Sequence, residues 1–185
     1  SAIANHASAA MNAATSATAP DVVFANPTGD LTISGGGGAD DVTLQTLDGA
    51  FSADLEIDLG GGSDSVSVDA FAGPGVLSIV GGAGTDTLAG PDAGVAWSVN
   101  GAGTGTASGG VSLTFAEIEM LSGGTGADAF TFASAGSLLG GVDGGGGSDT
   151  LDLAAVGGAL TFDLGSGTAT AAGLMSSIEN LVGNG

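Results

Sequence analysis

Five aspartates close glycine-rich hexapeptides: Asp40 ends GGGGAD, Asp64 LGGGSD, Asp86 GGAGTD, Asp128 GGTGAD and Asp149 GGGGSD. Glycine reaches positive φ without steric cost, so a tight loop can turn its carbonyl oxygens inward. The terminal aspartate adds a carboxylate beside those carbonyls. Carboxylate and carbonyl oxygens together are the ligand set of a hard cation, and calcium accepts about six to eight of them in irregular geometry. Magnesium fits less well, because it demands an octahedron. The competing explanation is that Gly and Asp simply make good turns.

Charge weighs toward the metal. The 185-residue chain carries 20 acids, no lysine, no arginine and one histidine, a formal net charge of −20. Self-repulsion on that scale opposes a compact state unless ions from outside neutralise it. Carboxylates stacked one strand spacing apart, about 4.8 Å, repel by about 1 kcal/mol in water and about 3 to 4 kcal/mol at an effective dielectric near 20. Stacked turns would place Asp40, Asp64 and Asp86 in one column and Asp128 and Asp149 in another. Calcium between turns 40/64, 64/86 and 128/149 would turn that repulsion into coordination.

The hexapeptides must be held by a repeating scaffold. Two weaker copies keep the glycines and lose the acid, GAGTGT at 101–106 and GSGTAT at 165–170, with Gly105 and Ala169 in the acid's place. With them included, the endings recur about every 21 residues, a period that marks a solenoid. Three periods make a longer beat of about 64 residues. Ile118-Glu119-Met120-Leu121 ends one beat and Ile178-Glu179-Asn180-Leu181 the next. Glu119 and Glu179 read first as acceptors that fix a turn and second as metal ligands. Gly105 and Ala169 should interrupt the columns.

Between the turns, apolar residues alternate with polar ones, as in Val42/Leu44, Val66/Val68, Leu77/Ile79, Val111/Leu113/Phe115, Phe130/Phe132, Leu151/Leu153 and Leu160/Phe162/Leu164. Period two in short runs bounded by glycine reads as strands. In 54–59, Leu55, Ile57 and Leu59 face inward, while Asp54, Glu56 and Asp58 form a solvated or cation-binding outer face. Trp97 and the phenylalanines read as core or cap residues. The expected fold is all-β: a parallel β-solenoid, β-roll or β-helix, of about seven coils of roughly 21 residues spanning 21–185. Residues 1–20 are alanine-rich and acid-free. They read as an N-terminal cap, a linker or an arm docking on another subunit, and alanine propensity allows a short helix over Ala2 to Ala14, broken by Thr15 to Pro20.

Composition excludes several roles. With 38 glycines and 4% aromatics, a thick globular core is hard to build, whereas a thin stack needs less. The absence of cysteine removes disulfides and thiol chemistry. Nucleic acid is not a direct partner, since phosphate neutralisation needs Lys or Arg. No apolar run approaches the roughly 20 residues of a membrane span. Ser1 and the lack of a basic leader fit a processed product or an excerpt of a longer chain. Lyases and epimerases on acidic sugars need cationic groups, and His6 stands alone in the arm. A glycosidase needs only two carboxylates, but no aromatic-lined cleft is readable. The expectation is a non-enzyme.

The segments GGAGTDTLA, GGTGADAFTF and GGGGSDTLDL resemble the RTX, or haemolysin-type, calcium-binding nonapeptide G-G-x-G-x-D-x-U-x. The longer beat with its I-E-x-L segments is similar to repeat regions of very large secreted bacterial adhesins. The resemblance covers about residues 30–185. It implies a secreted, extracellular or cell-surface bacterial protein with Ca2+ in its turns. Carried onto this chain, it implies carboxylate ligands Asp40, Asp64, Asp86, Asp128 and Asp149. Carbonyl ligands would come from Gly35, Gly37, Gly60, Gly62, Gly81, Ala83, Gly123, Thr125, Gly144 and Gly146. RTX nonapeptides come in tandem, two per coil of about 18 residues, whereas this chain has one per coil of about 21. That departure implies a wider β-helix with calcium along one edge. Open edge strands template another chain, and contact between unlike ends propagates. The expected function is therefore a self-assembling fibre, surface-layer or adhesin module. Its partners would be further copies, head to tail, or neighbouring repeats of a longer chain. The alternative is a calcium-dependent folding module of a larger secreted toxin or polysaccharide-active enzyme.

Overall fold

A computed structural model of the chain describes residues 2–6, 11–15, 22–27, 29–47, 50–71 and 75–185, with side chains described from residue 26 onward. Among the described residues there is no helix, and most strand pairs are parallel. In a nine-stranded sheet, Leu31–Ser34, Leu55–Asp58, Leu77–Val80 and Leu113–Ala116 run side by side in parallel. The same sheet continues through Val95–Gly101, Ala129–Phe132, Thr150–Asp152 and Asn180–Val182, again parallel. In an eleven-stranded sheet, Asp41–Leu44, Ser65–Val68, Thr87–Ala89, Met120–Ser122, Gly141–Asp143 and Gly173–Ser176 are parallel neighbours. The chain alternates between the two sheets, and the glycine turns make many of the crossings.

Alternation does what the sequence pattern demands. Leu55, Ile57 and Leu59 are 2%, 0% and 0% exposed, while Asp54 and Glu56 between them face solvent. The inward side chains of both sheets merge in one apolar cluster. Each strand is too short to bury much alone, and its free energy comes from the strands packed beside and across from it. Trp97 lies in this core, stacked on Phe130 at 6.2 Å between ring centroids and edge-on to Phe115. One expected inward position fails: Leu164 is 77% exposed, because residues 164–167 form the tip of a hairpin instead of a strand.

Two antiparallel meanders interrupt the parallel order. Val95–Gly101, Thr104–Gly109 and Leu113–Ala116 pair successively in the nine-stranded sheet. Phe162–Asp163, Thr168–Ala169 and Gly173–Ser176 do so in the eleven-stranded one. The weak copies GAGTGT and GSGTAT are thus hairpin tips and not stacked turns. Gly103 at φ 61° and Gly167 at φ 66° take the left-handed conformation that closes a tight hairpin. Gly105 pairs with Val99, and Ala169 with Phe162.

The expected helix over 2–14 is corrected. Ala2–His6 and Met11–Thr15 are antiparallel strands, Met11–Thr15 pairs onward with Val22–Ala25, and Ala2–His6 lies parallel to Asp41–Leu44. Alanine's helical preference is small and yields to a sheet edge whose open amides and carbonyls accept another strand. The predicted break at 15–20 falls mainly on 16–20, outside the described residues.

Candidate functional site: two carboxylate ladders

The five aspartates are brought together in two columns, as their spacing predicts. In the first, Asp40 N–H donates to Asp64 Oδ1 at 2.7 Å and Asp64 N–H to Asp86 Oδ1 at 2.9 Å. The column ends where Asp86 N–H donates to Glu119 Oε2 at 2.9 Å. In the second, Val95 N–H donates to Asp128 Oδ1 at 2.7 Å and Asp128 N–H to Asp149 Oδ1 at 2.8 Å. Asp149 N–H then donates to Glu179 Oε2 at 2.7 Å. Asp64, Asp86, Asp128, Asp149 and the two glutamates each serve an amide of the turn before them. Stacking at about 4.8 Å puts that amide within reach of a short aspartate side chain.

The ladders lie on opposite edges of the stack. Turns 35–40, 59–64 and 81–86 lead from the nine-stranded sheet into the eleven-stranded one, and turns 123–128 and 144–149 lead back. The expectation of one edge is corrected, and the first meander is the reason. It adds strands to one sheet without a crossing, so the next hexapeptide falls on the return side.

Glutamates finish each ladder where no hexapeptide arrives. Glu117 at φ 56° and Ser177 at φ 52° are non-glycine residues in the left-handed region. Each turns the chain sharply and aims the glutamate two residues later at the waiting amide. Glu119 and Glu179 were legible as turn-fixing acceptors. Their link to Asp86 and Asp149 was not, and Val95 as a donor left no trace in a search for acids.

Asp64, Asp86, Asp128 and Asp149 are buried, with 3%, 0%, 2% and 0% of their surface exposed, and Asp40 is half-buried. The Oδ2 atoms of all five are buried without a hydrogen-bond partner. Those of Asp40, Asp86, Asp128 and Asp149 press against the first glycine of their own turn. A Cβ on Gly35 would stand 2.8 Å from Asp40 Oδ2 and 2.5 Å from Leu59 O. On Gly81 it would stand 2.9 Å from Asp86 Oδ2 and overlap Glu117 O, and on Gly144 2.6 Å from Asp149 Oδ2 while overlapping Ser177 O. On Gly123 it would overlap Asp128 Oδ2 and stand 2.6 Å from Gly144 O. The leading glycine is therefore required by two oxygens, a carboxylate and a carbonyl. Burial pushes the Asp128 carboxyl above its ordinary range; the Val95 amide opposes this and the charge of Asp149 adds to it. At the second hairpin tip, Ser166 and the Gly165 amide hold the exposed Asp163 carboxyl below its ordinary range.

The later glycines make the turns stack closely. Gly61 N–H donates to Gly36 O at 2.9 Å, Gly38 N–H to Gly61 O at 2.7 Å, Ala83 N–H to Gly60 O at 2.8 Å and Gly146 N–H to Gly124 O at 2.8 Å. Of the predicted carbonyl ligands, Gly60 O is thus shared with a neighbouring amide, keeping a second lone pair. Gly35, Gly37, Ala83 and Thr125 are exposed, Gly60, Gly62 and Gly146 half-buried, and Gly81, Gly123 and Gly144 buried. Among the described residues no three His, Cys, Asp or Glu side chains gather as a metal group. The acids come one per turn, so further ligands would be backbone or water oxygens. The donor set is oxygen-only, anionic and left with unpaired buried acceptors, which fits a hard cation.

No protein-family profile, curated protein or solved structure is significantly similar to this chain.

Proposed function

We propose that the chain is a non-enzymatic structural module: a parallel β-solenoid of about seven coils, stabilised by calcium, from a secreted or cell-surface bacterial fibre, surface layer or adhesin. The observation that carries this reading is the pair of register-matched carboxylate ladders, each with buried unpaired oxygens, in a chain without Lys or Arg. Buried carboxylates with one oxygen unpaired and no cationic neighbour destabilise a fold, and calcium supplies the missing positive charge. Asp40, Asp64, Asp86, Asp128 and Asp149 would hold it, with carbonyl oxygens of their turns. The ladder hydrogen bonds align the turns, and the leading glycines let carboxylate and carbonyl approach each other.

The RTX resemblance rests on the same hexapeptides and supports secretion and calcium-linked folding, in which the ion stabilises the folded state it binds. Head-to-tail contact with further copies, or with neighbouring repeats of a longer chain, is the partner this reading takes, supported by the parallel order of the strands. The test is circular dichroism and thermal melting in EDTA and then in millimolar calcium, followed by electron microscopy of the same sample. A rise in melting temperature with calcium, but not with magnesium, is expected. Identical melting curves in EDTA and calcium would remove the ion from this reading.

A further inference from the structure

Two asparagines of the chain precede glycine, Asn100 and Asn184. The fold treats them differently. Asn184 Nδ2 donates to Val156 O at 2.9 Å and to Gly158 O at 2.8 Å, so its amide nitrogen is tied down twice. Asn100 is exposed and sits where the register of the first meander shifts, between the pairs Val99–Gly105 and Gly101–Thr104. A bulged residue lies outside the ladder, and its strand bends there. Its side chain meets a neighbour on the same face of the strand: the Ser98 hydroxyl donates to Asn100 Oδ1 at 3.0 Å. Gly101 has no side chain to stand between its own nitrogen and the Asn100 carboxamide.

We propose that Asn100–Gly101 is a self-modification site, at which the chain converts its own asparagine with the Ser98 hydroxyl assisting. The Gly101 backbone nitrogen gives its proton to hydroxide and attacks Asn100 Cγ. A C–N bond forms and closes a five-membered succinimide; the Cγ–Nδ2 bond breaks, and ammonia leaves with a proton taken from water. Negative charge gathers on Oδ1 during the attack, and the Ser98 hydroxyl stabilises it as a prepositioned donor. Water then opens the ring at either carbonyl, giving aspartate or isoaspartate at position 100. Nothing is oxidised or reduced, and water is the only co-reactant. Aspartate adds a carboxylate to a chain that has 20 acids and no Lys or Arg. Isoaspartate also lengthens the main chain by a methylene. That insertion falls between two fixed carbonyls: Val99 O accepts Ala133 N–H at 2.9 Å, and Gly101 O accepts Ser137 N–H at 3.1 Å. The site shares no residue with the carboxylate ladders and stands apart from the calcium reading.

The test is to age the folded chain in calcium, in warm and mildly alkaline buffer, beside a portion held in urea, with circular dichroism confirming each state. Peptides cut after glutamate are then read by tandem mass spectrometry for the mass increase from amide to acid. In the folded chain Asn100 is expected to convert several-fold faster than Asn184; in urea the two should keep pace. Ser98→Ala should slow conversion of Asn100 in the folded chain and leave its rate in urea unchanged. Asn100→Gln, which would need a larger ring, should abolish the change at position 100 without altering the spectrum. A folded chain in which Asn100 stays intact, or lags behind Asn184, overturns the proposal. So does a folded-state rate at Asn100 that Ser98→Ala does not alter.

Discussion

Asp86 contributes its two oxygens to different ends. Oδ1 accepts the buried Asp64 amide at 2.9 Å, and Oδ2 is left without a donor. Substitutions can separate the two. Asp86→Ala strands a buried N–H and should cost about 1 to 3 kcal/mol in urea titrations in EDTA. Asp86→Asn keeps an acceptor and should fall within about 1 kcal/mol of wild type in EDTA, yet gain less from calcium. Equal losses for both variants in EDTA would mean that the hydrogen bond is not what the side chain supplies. Asp128 gives a pH signature. Its folded carboxyl is raised above 3.8, so the folded state takes up this proton at higher pH than the unfolded chain does. Its contribution therefore becomes more favourable as pH falls from neutral through the raised value, and is complete near 3.8. The wild type in EDTA should gain melting temperature relative to Asp128→Asn over that fall, and a pH-independent difference would tell against burial as the cause. Asp163 works in the opposite direction. Its lowered carboxyl favours folding above the unfolded value and loses that effect as pH drops through the folded one, weakly, since it is exposed.

At the scale of the turn, glycines are not equivalent. Gly82 sits at φ 95°, and a Cβ there would overlap the carbonyl of Gly60, whereas a Cβ on Gly37 would meet nothing within 4 Å. Gly82→Ala should cost at least about 2 kcal/mol and Gly37→Ala no more than about 0.5 kcal/mol, both by chemical denaturation. Glu117→Gly relieves a left-handed conformation and should add about 1 kcal/mol; a loss would show that the side chain holds the corner. Much of this element scale was legible. Leu55, Ile57 and Leu59 announced an inward face by alternation alone, and the hexapeptides announced columns by spacing alone. The meanders were not legible, because GAGTGT serves a hairpin as readily as a stacked turn, and only the pairing of Thr106 with Ser98 and Thr114 decides between them. Glu117 gave no local signal, since its conformation is imposed by the strands on either side. The N-terminal strands contradicted alanine's propensity for the same reason: a neighbouring sheet edge outweighs a weak local preference.

For the molecule as a whole, two edges mean two independent sets of turns. Under the calcium reading, Asp64→Asn with Asp86→Asn should remove the ions of one edge and leave those between 128 and 149, so titration calorimetry should show reduced stoichiometry with residual binding. Complete loss would mean the edges are coupled through the shared core. The ladders also have an arrow. Asp64, Asp86, Asp128 and Asp149 each clasp an amide that came earlier in the chain, as Glu119 does for Asp86 and Glu179 for Asp149. Peeling the C-terminal side therefore bares a donor inside the neighbouring turn, while peeling the N-terminal side only frees an acceptor, the milder of the two defects. Fraying should accordingly travel from the N-terminal turns toward the C-terminal ones, like a zip that opens only from its slider.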